Sequence, residues 1–397
     1  MQFLGFLGFV LLISSFSVLY LYLRLLRPMP LSGQVKGAGT FIFALIFATS
    51  PMAIYVRGLG VEDIFIDPLL TAGFVGLGFL SFLMVFLLTR DVLFLLTKAS
   101  LTTCRWLRKM EKPSKEVNYA RRRFLQNTTG ATLAVAAVGM TDAGVREAWG
   151  EPVVEHVAVS LENLPKSFEG FKIVQISDLH VSPSLKKDYV ERVVEVVNEQ
   201  GADMVAVTGD VVDGSVAHLD ADIAPLGRMQ AKDGLFFVTG NHEYYSGVNP
   251  WVEHLNELGL RVLLNEHEML ERGGQQIAIA GVTDLQAGKF DLTQVTDPHG
   301  AVRDVPNGVV KVLLAHRPRS VFEAADAGVD LQLSGHTHGG QFYPWNYVVR
   351  LAQPFVAGLY EYKGTQLYVN RGTGYWGPPL RNGVPSEISV ITLHRKA

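Results

Sequence analysis

The N-terminal part of the chain is dominated by three long apolar stretches. They cover residues 3–23, 40–56 and 69–88, and none of them contains a charged residue. Because about 20 consecutive apolar residues span the hydrocarbon core of a bilayer as a helix, the pattern predicts three transmembrane helices within residues 1–100. A buried helix of a soluble domain is the alternative, but it would be shorter or would carry a polar stripe.

From about residue 153 the pattern changes to short apolar runs that alternate with helical periodicity and glycine-centred turns. This alternation is typical of an α/β domain. A glycine follows each predicted helix, where it suits a left-handed C-terminal cap. The clearest predicted strands are residues 171–177, 204–208, 235–239, 309–315 and 331–334, and the predicted helices are residues 186–200, 250–258 and 319–327.

Charge divides the chain in the same place as hydropathy does. Residues 1–150 hold 15 Lys and Arg against 8 Asp and Glu, whereas residues 151–397 hold 20 against 30. The acidic C-terminal part repels a phosphate backbone at long range, which disfavours a nucleic-acid-binding function. The one cysteine, Cys104, excludes an intramolecular disulfide and any thiolate-rich zinc or iron–sulfur site.

Between these regions, residues 101–152 predict a basic cytoplasmic linker followed by a short apolar segment. The basic run 90–123 follows the third predicted helix, so the positive-inside rule places this run in the cytoplasm and the N-terminus outside. The sequence RRRFLQ at 121–126, followed by the weakly apolar residues 129–140, resembles a twin-arginine export signal. Ala120 and Gln126 depart from that pattern, and an ordinary basic flank beside an interfacial helix is the alternative. Used as a signal, this segment would place the C-terminal domain outside the cytoplasm.

Each of the five predicted strands ends in a cluster of Asp, Asn or His residues. The blocks are DLH at 178–180, GDVVD at 209–213, GNHE at 240–243, AHRP at 315–318 and GHTHGGQ at 335–341. Loops at strand ends are where α/β folds place their chemistry, and alternate residues such as Asp178 and His180 can present oxygen and nitrogen to one cation. One polar loop residue is usually a cap or solvated, but this ordered set predicts a metal site.

These blocks, in this order, resemble the calcineurin-like metallophosphoesterase superfamily over about residues 171–342. The resemblance implies a four-layer αββα phosphatase domain with a central β-sandwich, here residues 153–397. Together with the apolar stretches, it predicts an α/β fold in which N-terminal transmembrane helices precede that domain. It also implies two divalent metal ions that share one carboxylate. The first ion would be held by Asp178, His180, Asp210 and His338, and the second by Asp210, Asn241, His316 and His336.

The catalytic residues that the resemblance implies are His242 and the bridging Asp210. Water between two divalent ions loses a proton and attacks phosphorus in line, while His242 stabilises the transition state or protonates the leaving group. Oxygen and nitrogen ligands without sulfur suit Mn, Fe, Zn or Co, with Mn as the first choice. Asp213 either orients the site or caps a turn, and Glu243 stays undecided for the same reason.

Residues 360–393 look like the C-terminal part of a membrane-associated branch of this superfamily, whose members include UDP-2,3-diacylglucosamine pyrophosphatase-like enzymes. Two interpretations are open for the apolar residues of this segment: they form a rim at the mouth of the site, or they pack within an ordinary loop. These residues are Tyr375, Trp376, Pro378 and Pro379. Arg371 and Arg381 either bind a phosphate or are solvated.

Together these features predict a phosphoesterase in a bacterial-type inner or plasma membrane, with its catalytic domain outside the cytoplasm. Its predicted partners are the membrane and a lipid-linked phosphate ester or pyrophosphate, because an anchor raises the local concentration of such substrates. One alternative is hydrolysis of soluble phosphodiesters or nucleotides, with the helices only a tether. The other is a non-enzymatic membrane sensor, whose signature would be a lost ligand, and every ligand position is filled.

Overall fold

The computed structural model describes residues 2–58, 66–107, 119–182 and 184–396. The chain forms two compact units, Met1–Val145 and Arg146–Ala397. Part of the predicted basic linker, residues 108–118, lies outside the described residues. The predicted domain boundaries at residues 100 and 152 therefore stay predictions.

All three apolar stretches lie in helices of the N-terminal unit. These helices are α1 (Gln2–Leu21), which continues as one π-helical turn (Tyr22–Leu26), α2 (Gly33–Gly58), α3 (Asp67–Leu107) and α4 (Tyr119–Ala148), which reaches into the second unit. Within the described residues, one helix, α3, is long and apolar enough to cross a membrane, and shorter apolar segments cover Val10–Leu26 and Gly33–Thr49. The structure thus contains one candidate membrane helix, and three transmembrane helices remain a prediction.

The chain that follows the third apolar stretch is helical over much of the segment where the sequence predicts a linker. Helix α3 continues past residue 88 to Leu107, and α4 contains both RRRFLQ and the weakly apolar residues 129–140. Alanine, leucine and arginine are good helix formers, which favours a continuous helix at α4 over an irregular connection.

Two mixed six-stranded sheets form the C-terminal unit, which confirms the predicted α/β class. The strands are β1 (Val153–Leu161), β2 (Lys172–Ile176), β3 (Met204–Val207), β4 (Leu235–Phe237), β5 (Arg261–Val262), β6 (Glu266–Arg272), β7 (Gln275–Gly281), β8 (Val310–Leu314), β9 (Leu331–Ser334), β10 (Gly358–Tyr362), β11 (Thr365–Val369) and β12 (Glu387–Arg395). One sheet has the order β1-β12-β2-β3-β4-β5 and the other β10-β11-β9-β8-β7-β6. Strands β2, β3 and β4 are parallel neighbours, as are β8 and β9. The carboxyl ends of parallel neighbours share one sheet edge, so each sheet presents a row of loops there.

An apolar core lies between the sheets, and helices pack on the other faces. The helices are α5 (Lys187–Glu199), α6 (Val216–Ile223), α7 (Asn241–Ser246), α8 (Val248–Glu257), α9 (Pro298–Ala301), α10 (Val321–Asp326) and α11 (Trp345–Ala352). The shared core joins Met204 of β3 to Leu333 of β9, and a second core joins Val205 of β3 to Val193 of α5. All four residues of β3 are buried, because a parallel strand that is covered on both faces is apolar throughout.

The predicted strands correspond to β2, β3, β4, β8 and β9, and the predicted helices correspond to α5, α8 and α10, with small differences at their ends. Outer strands such as β1, β6 and β10 were not singled out by the sequence. Their residues are largely half-buried or exposed, so they lack the continuous apolar runs that mark the central strands.

Candidate metal centre

The polar blocks meet where the loops of the two sheets face each other. They follow β2, β3 and β4 in one sheet and β8 and β9 in the other. The backbone N–H of His336 donates to both carboxylate oxygens of Asp178 at 3.0 and 2.9 Å, and Nδ1 of His316 lies 2.8 Å from the carbonyl oxygen of Thr208. These bonds join the two sheets at the edge that carries all the predicted site residues.

Asp178, His180 and His338 form a first group of potential metal ligands. One ligand atom from each of the three lies within 4.8 Å of the other two. Nε2 of His338 is 3.1 Å from Nε2 of His180 and 3.4 Å from Oδ1 of Asp178. All three side chains are buried, so their ligand atoms are shielded from bulk water.

Asp210, His316 and His336 form a second group. Nε2 of His316 lies 3.0 Å from Oδ2 of Asp210 and 3.1 Å from Nδ1 of His336. Oδ2 of Asp210 also lies 3.9 Å from Nε2 of His180, in the first group. The carboxylate of Asp210 therefore lies between both groups, which is where a bridging ligand has to be.

Five of the predicted ligands have a left-handed backbone conformation. The φ angles of Asp178, His180, Asp210, His336 and His338 lie between 51° and 73°. Such angles cost a non-glycine residue roughly 1–3 kcal/mol, and they cluster at functional sites. Backbone bonds hold the strained loops, since the N–H of His180 donates to the carbonyl of Asp210 at 3.0 Å.

Two glycines behind the ligands allow the loops to approach each other. A Cβ atom on Gly335 would lie 2.1 Å from Oδ2 of Asp178, and a Cβ atom on Gly240 would lie 2.1 Å from Oδ1 of Asp210. Any larger residue would displace one of the two carboxylates. The close approach explains why glycine precedes the polar residues in the GNHE and GHTHGGQ blocks.

Asn241 is bonded to an arginine to which the sequence assigned no role. Its Oδ1 accepts a hydrogen bond from Nη2 of Arg317 at 2.9 Å, and Nε of Arg317 donates to Oδ2 of Asp284 at 2.7 Å. Asp284 is buried, and 15% of the Arg317 side chain is exposed. Because an amide oxygen has two lone pairs, Asn241 can accept this bond and still face a cation. Arg317 belongs to the AHRP block, but only the fold shows that it reaches a loop of the other sheet.

His242 is paired with Asp213, whose role the sequence left open. Nδ1 of His242 is in direct contact with Oδ1 of Asp213, and the backbone N–H of His242 donates to Oδ1 of Asp210 at 2.8 Å. Burial lowers the pKa of His242, but Asp213 and Asp210 raise it to about 9. Burial likewise opposes ionisation of Asp213, yet His242 and His180 hold its pKa well below the usual range. Asp213 therefore holds Nδ1 of a histidine whose ring lies beside both groups of potential ligands.

Glu243, the other undecided residue, holds two loops together. It is fully buried, and its carboxylate accepts hydrogen bonds from the backbone N–H groups of Gly240 at 2.7 Å, Asp210 at 3.0 Å and Val211 at 2.7 Å. Burial and the nearby Asp210 raise its pKa to about 7. Its contacts join the loop after β3 to the loop after β4, so its part in the site is positional.

The donor set of the two groups fits divalent cations. A carbonyl oxygen only accepts hydrogen bonds, so Nδ1 of His316 donates to Thr208 and Nε2 faces Asp210 and His336; with a cation bound, a neutral ring would direct the Nε2 lone pair there. Burial lowers the pKa of His316, but Asp210 raises it to about 10. The carboxylate of Asp210 thus favours positive charge beside it. Two divalent cations would supply that charge and offset the cost of burying both carboxylates.

In the C-terminal segment, Arg381 has neither of its two suggested roles, whereas Tyr375 has the packing role. Arg381 is fully buried, and its guanidinium donates to main-chain carbonyls such as that of Arg371 at 2.8 Å, so it is available neither to substrate nor to solvent. Arg371 pairs with Glu387 at 3.3 Å. Tyr375 is buried because its ring packs into the core beside the sheet that contains β2 and β3. Its hydroxyl donates to the carbonyl of Ser184 at 2.7 Å.

Trp376 is the member of that segment that fits the suggested rim. Its side chain is 53% exposed, and its ring centre lies 5.9 Å from that of His242. Tyr245, which the sequence did not single out, is 55% exposed and lies 5.1 Å from His242 between ring centres. Pro379 is buried and Pro378 is half-buried. The exposed aromatic surface beside His242 therefore comes from two different loops.

The chain is similar to a known protein family and to several known proteins. Residues 171–340 match the family of calcineurin-like phosphoesterases. An uncharacterized metallophosphoesterase of Helicobacter pylori is 37% identical over 276 residues, which is 69% of this chain and 72% of that protein. One of Campylobacter jejuni is 32% identical over 399 residues and covers 100% of both chains. A transmembrane protein with metallophosphoesterase domain from Danio rerio is 36% identical over 274 residues, or 66% of this chain and 61% of that protein.

The chain belongs to the calcineurin-like metallophosphoesterase family. It is a metal-dependent phosphoester hydrolase, with a cluster of His and Asp residues suited to a divalent metal at the edge where the loops of its two sheets meet.

Proposed function

We propose that the chain is a membrane-anchored binuclear metallophosphoesterase that hydrolyses a phosphate-ester or pyrophosphate bond of a lipid-linked substrate. The catalytic region is the four-layer αββα domain of residues 153–397. The single observation that carries the hydrolytic part is the position of Asp210 between two ligand groups, 3.0 Å from His316 and 3.9 Å from His180.

Seven residues are assigned to the two cations in this proposal. Asp178, His180, Asp210 and His338 hold the first, and Asp210, Asn241, His316 and His336 hold the second. When bound, such a pair of cations polarises the phosphoryl group and lowers the pKa of water. The oxygen and nitrogen donors admit Mn, Fe, Zn or Co, and Mn remains the first choice.

His242 is assigned to the proton that the leaving oxygen needs. Asp213 holds Nδ1 of the ring, and Nε2 points into the site, 4.0 Å from Oδ2 of Asp210. With Nδ1 occupied by Asp213, Nε2 is the nitrogen that donates a hydrogen bond or a proton to a phosphoryl or leaving oxygen. Burial of the pair keeps bulk water from competing with this contact.

Arg317 is assigned to a phosphoryl oxygen of the substrate. Asp284 and Asn241 hold its guanidinium at the site with bonds of 2.7 and 2.9 Å. We expect Arg317→Met to raise the KM for a phosphoester and the Ki for inorganic phosphate by about tenfold or more, because a charge-assisted hydrogen bond is lost. Steady-state kinetics and phosphate titration measure both constants.

Arg319→Met is the matched control for this experiment. Arg319 is exposed in the same loop, so its replacement leaves KM, Ki and metal content at their original values. Unchanged phosphate affinity in Arg317→Met, with both cations present, contradicts the assignment.

The membrane part of the proposal comprises three spans in residues 1–100, a basic cytoplasmic segment with the twin-arginine-like motif in 101–152, and a catalytic domain outside the cytoplasm. Asp91 supports this arrangement, because it binds Nε of Arg24 at 2.7 Å, Nη2 of Arg90 at 2.8 Å and the hydroxyl of Tyr20 at 3.0 Å. Two arginines thus lie together just after the first and third apolar stretches, where the positive-inside rule expects the cytoplasm. The name of the Danio rerio relative gives further support for a membrane location. Activity of a cytoplasm-restricted reporter fused after residue 397 would contradict the sidedness.

The proposed substrate class is tested with matched esters. Purified full-length enzyme, loaded with Mn, is assayed on a phosphodiester or pyrophosphate that carries an acyl chain and on the same head group without the chain. We expect kcat/KM to be at least about tenfold higher for the lipid, because a few buried methylene groups supply that much binding energy. Equal values for both would remove the lipid-linked substrate and leave the soluble-ester alternative, with the helices as a tether.

A further inference from the structure

Helix α11 is amphipathic, but its apolar side faces away from the domain. The helix follows directly after the ligand block that ends in Gln341, and none of its residues is buried. Its polar residue Asn346 packs against the domain, because a Cβ on Gly340 would lie 2.3 Å from the Cα of Asn346 and because Oδ1 of Asn346 is buried. On the apolar side Tyr347 is 64% exposed and Leu351 is 88% exposed. A surface helix of a soluble domain normally has the opposite orientation.

The segment that leads into α11 is bonded to a loop beside His242. The side chain of Gln341 bonds to Trp376 through its backbone N–H at 2.9 Å and its carbonyl at 3.1 Å, which connects the start of the α11 segment to that loop. On the other side Phe290, 52% exposed, lies 5.7 Å from Tyr245 between ring centres. We define the rim as six exposed side chains that lie on four segments, which are α7, the turn that ends at Phe290, α11 and the loop of Trp376: Tyr245, Phe290, Tyr347, Val348, Leu351 and Trp376.

The composition of the rim matches a lipid interface. Tyrosine and tryptophan are enriched where membranes meet water, and amphipathic helices lie there with their apolar side among the acyl chains. Residues 343–352 include the exposed Arg350 and no acidic residue, although residues 151–397 contain 30. Lys289 is exposed next to Phe290, and Asp291 follows Phe290 and balances that charge. Arg350 beside exposed aromatic side chains complements the phosphate of a lipid head group.

We propose that the rim is a second membrane contact, with which the catalytic domain rests on the surface of a phospholipid bilayer. The mouth of the site beside His242 then lies at head-group depth, so a phosphoester in the membrane reaches it without leaving the bilayer. This inference rests on the membrane location proposed above. It adds to it an orientation of the catalytic domain, which a tether alone does not impose.

Nitroxide accessibility in the full-length protein tests the contact. Cys104 is the one cysteine and is exposed, so Cys104→Ser gives a background for single labels at Leu351→Cys in the rim, Phe79→Cys in α3 and Glu199→Cys at the exposed end of α5. Glu199 lies at the edge of the first sheet opposite to the site, because α5 runs from the carboxyl end of β2 to the start of β3. Relaxation by oxygen and by a water-soluble nickel chelate is measured in vesicles of phosphatidylglycerol and phosphatidylcholine.

We expect labels at 351 and 79 to be relaxed mainly by oxygen and the label at 199 mainly by nickel. Nickel access at 351 with oxygen access at 79 overturns the rim contact and leaves the membrane location intact. Nickel access at 79 overturns the membrane location itself. Protection of 351 from both reagents shows that protein, such as a second copy, covers the rim, and it also overturns the contact.

A kinetic comparison provides an independent readout. Leu351→Asp places a carboxylate on a side chain that is 88% exposed, so the fold is not expected to change. We expect kcat/KM for a lipid ester in vesicles to fall by about tenfold or more and kcat/KM for a soluble ester to stay the same. An equal fall for both substrates, or no change for either, overturns the proposed contact.

Discussion

Asp210→Asn is expected to abolish both metal occupancy and phosphoesterase activity. In the unsubstituted protein the backbone N–H of His242 donates to Oδ1 of Asp210 at 2.8 Å, and the asparagine oxygen can still accept this bond. The substitution removes the negative charge between the two ligand groups. Two cations bound there would then repel each other, because no shared anionic ligand would lie between them. Because metal catalysis supplies several kcal/mol of barrier reduction, the loss of rate should be on the order of 10³ or more. Metal analysis of the purified protein and initial rates with Mn in excess measure the two effects.

The control for this experiment separates charge at the site from charge elsewhere. Asp220 is exposed on α6, so Asp220→Asn should retain two cations per chain and full activity. Thermal unfolding in the presence of a chelator shows whether Asp210→Asn is folded. A folded Asp210→Asn protein that binds two cations and turns over normally would refute the bridging role.

His242→Ala is expected to retain both cations and to lower kcat by on the order of 10² or more, because general acid catalysis contributes about that factor. Asp213→Asn should produce part of this loss, since the amide no longer holds a charged imidazole in place. The two substitutions act on one hydrogen-bonded pair. The double variant should therefore be no slower than His242→Ala alone, which is the non-additivity expected of residues that act as a unit.

Asp213 also lies 3.4 Å from Nδ1 of His180, so it could position that potential metal ligand instead of His242. The metal content of Asp213→Asn distinguishes the two roles. If Asp213→Asn loses metal, its defect is in ligand positioning, and kcat at saturating metal recovers. His299 is exposed on α9, so His299→Ala serves as the control and should keep its original rate. Additive losses in the double variant would show that His242 and Asp213 act separately.

The central strands and the ligand blocks were predictable from the sequence because both are local patterns. Strands such as β3 and β4 are continuous apolar runs, and each leads into its polar block within a few residues. The order of the blocks then indicated the family, which the relatives show. Strands β1 and β10 were not predictable in this way, since their mixed exposure leaves no such run.

Residues that act across the two sheets were the ones that the sequence could not place. Arg317 and Asn241 are 76 residues apart in the chain, yet the loops after β8 and β4 bring them to 2.9 Å. For Arg381 the sequence predicted contact with solvent or with a phosphate, because the side chain is charged. In the fold it is fully buried and donates to main-chain carbonyl groups. Adjacent residues can also have different environments, because the side chain of Tyr375 packs in the core whereas that of Trp376 lies beside His242.

The sequence by itself determined that this chain has an apolar N-terminal part, an α/β C-terminal part and a set of candidate metal ligands at strand ends. These features depend on residues within a few positions of one another, where periodicity and turn chemistry act. Only the tertiary structure decided which carboxylate lies between the two ligand groups, which acid orients His242 and which apolar side chains stay exposed beside the site. Those outcomes depend on how the edges of two sheets meet, and the contacts that decide them join residues far apart in the chain.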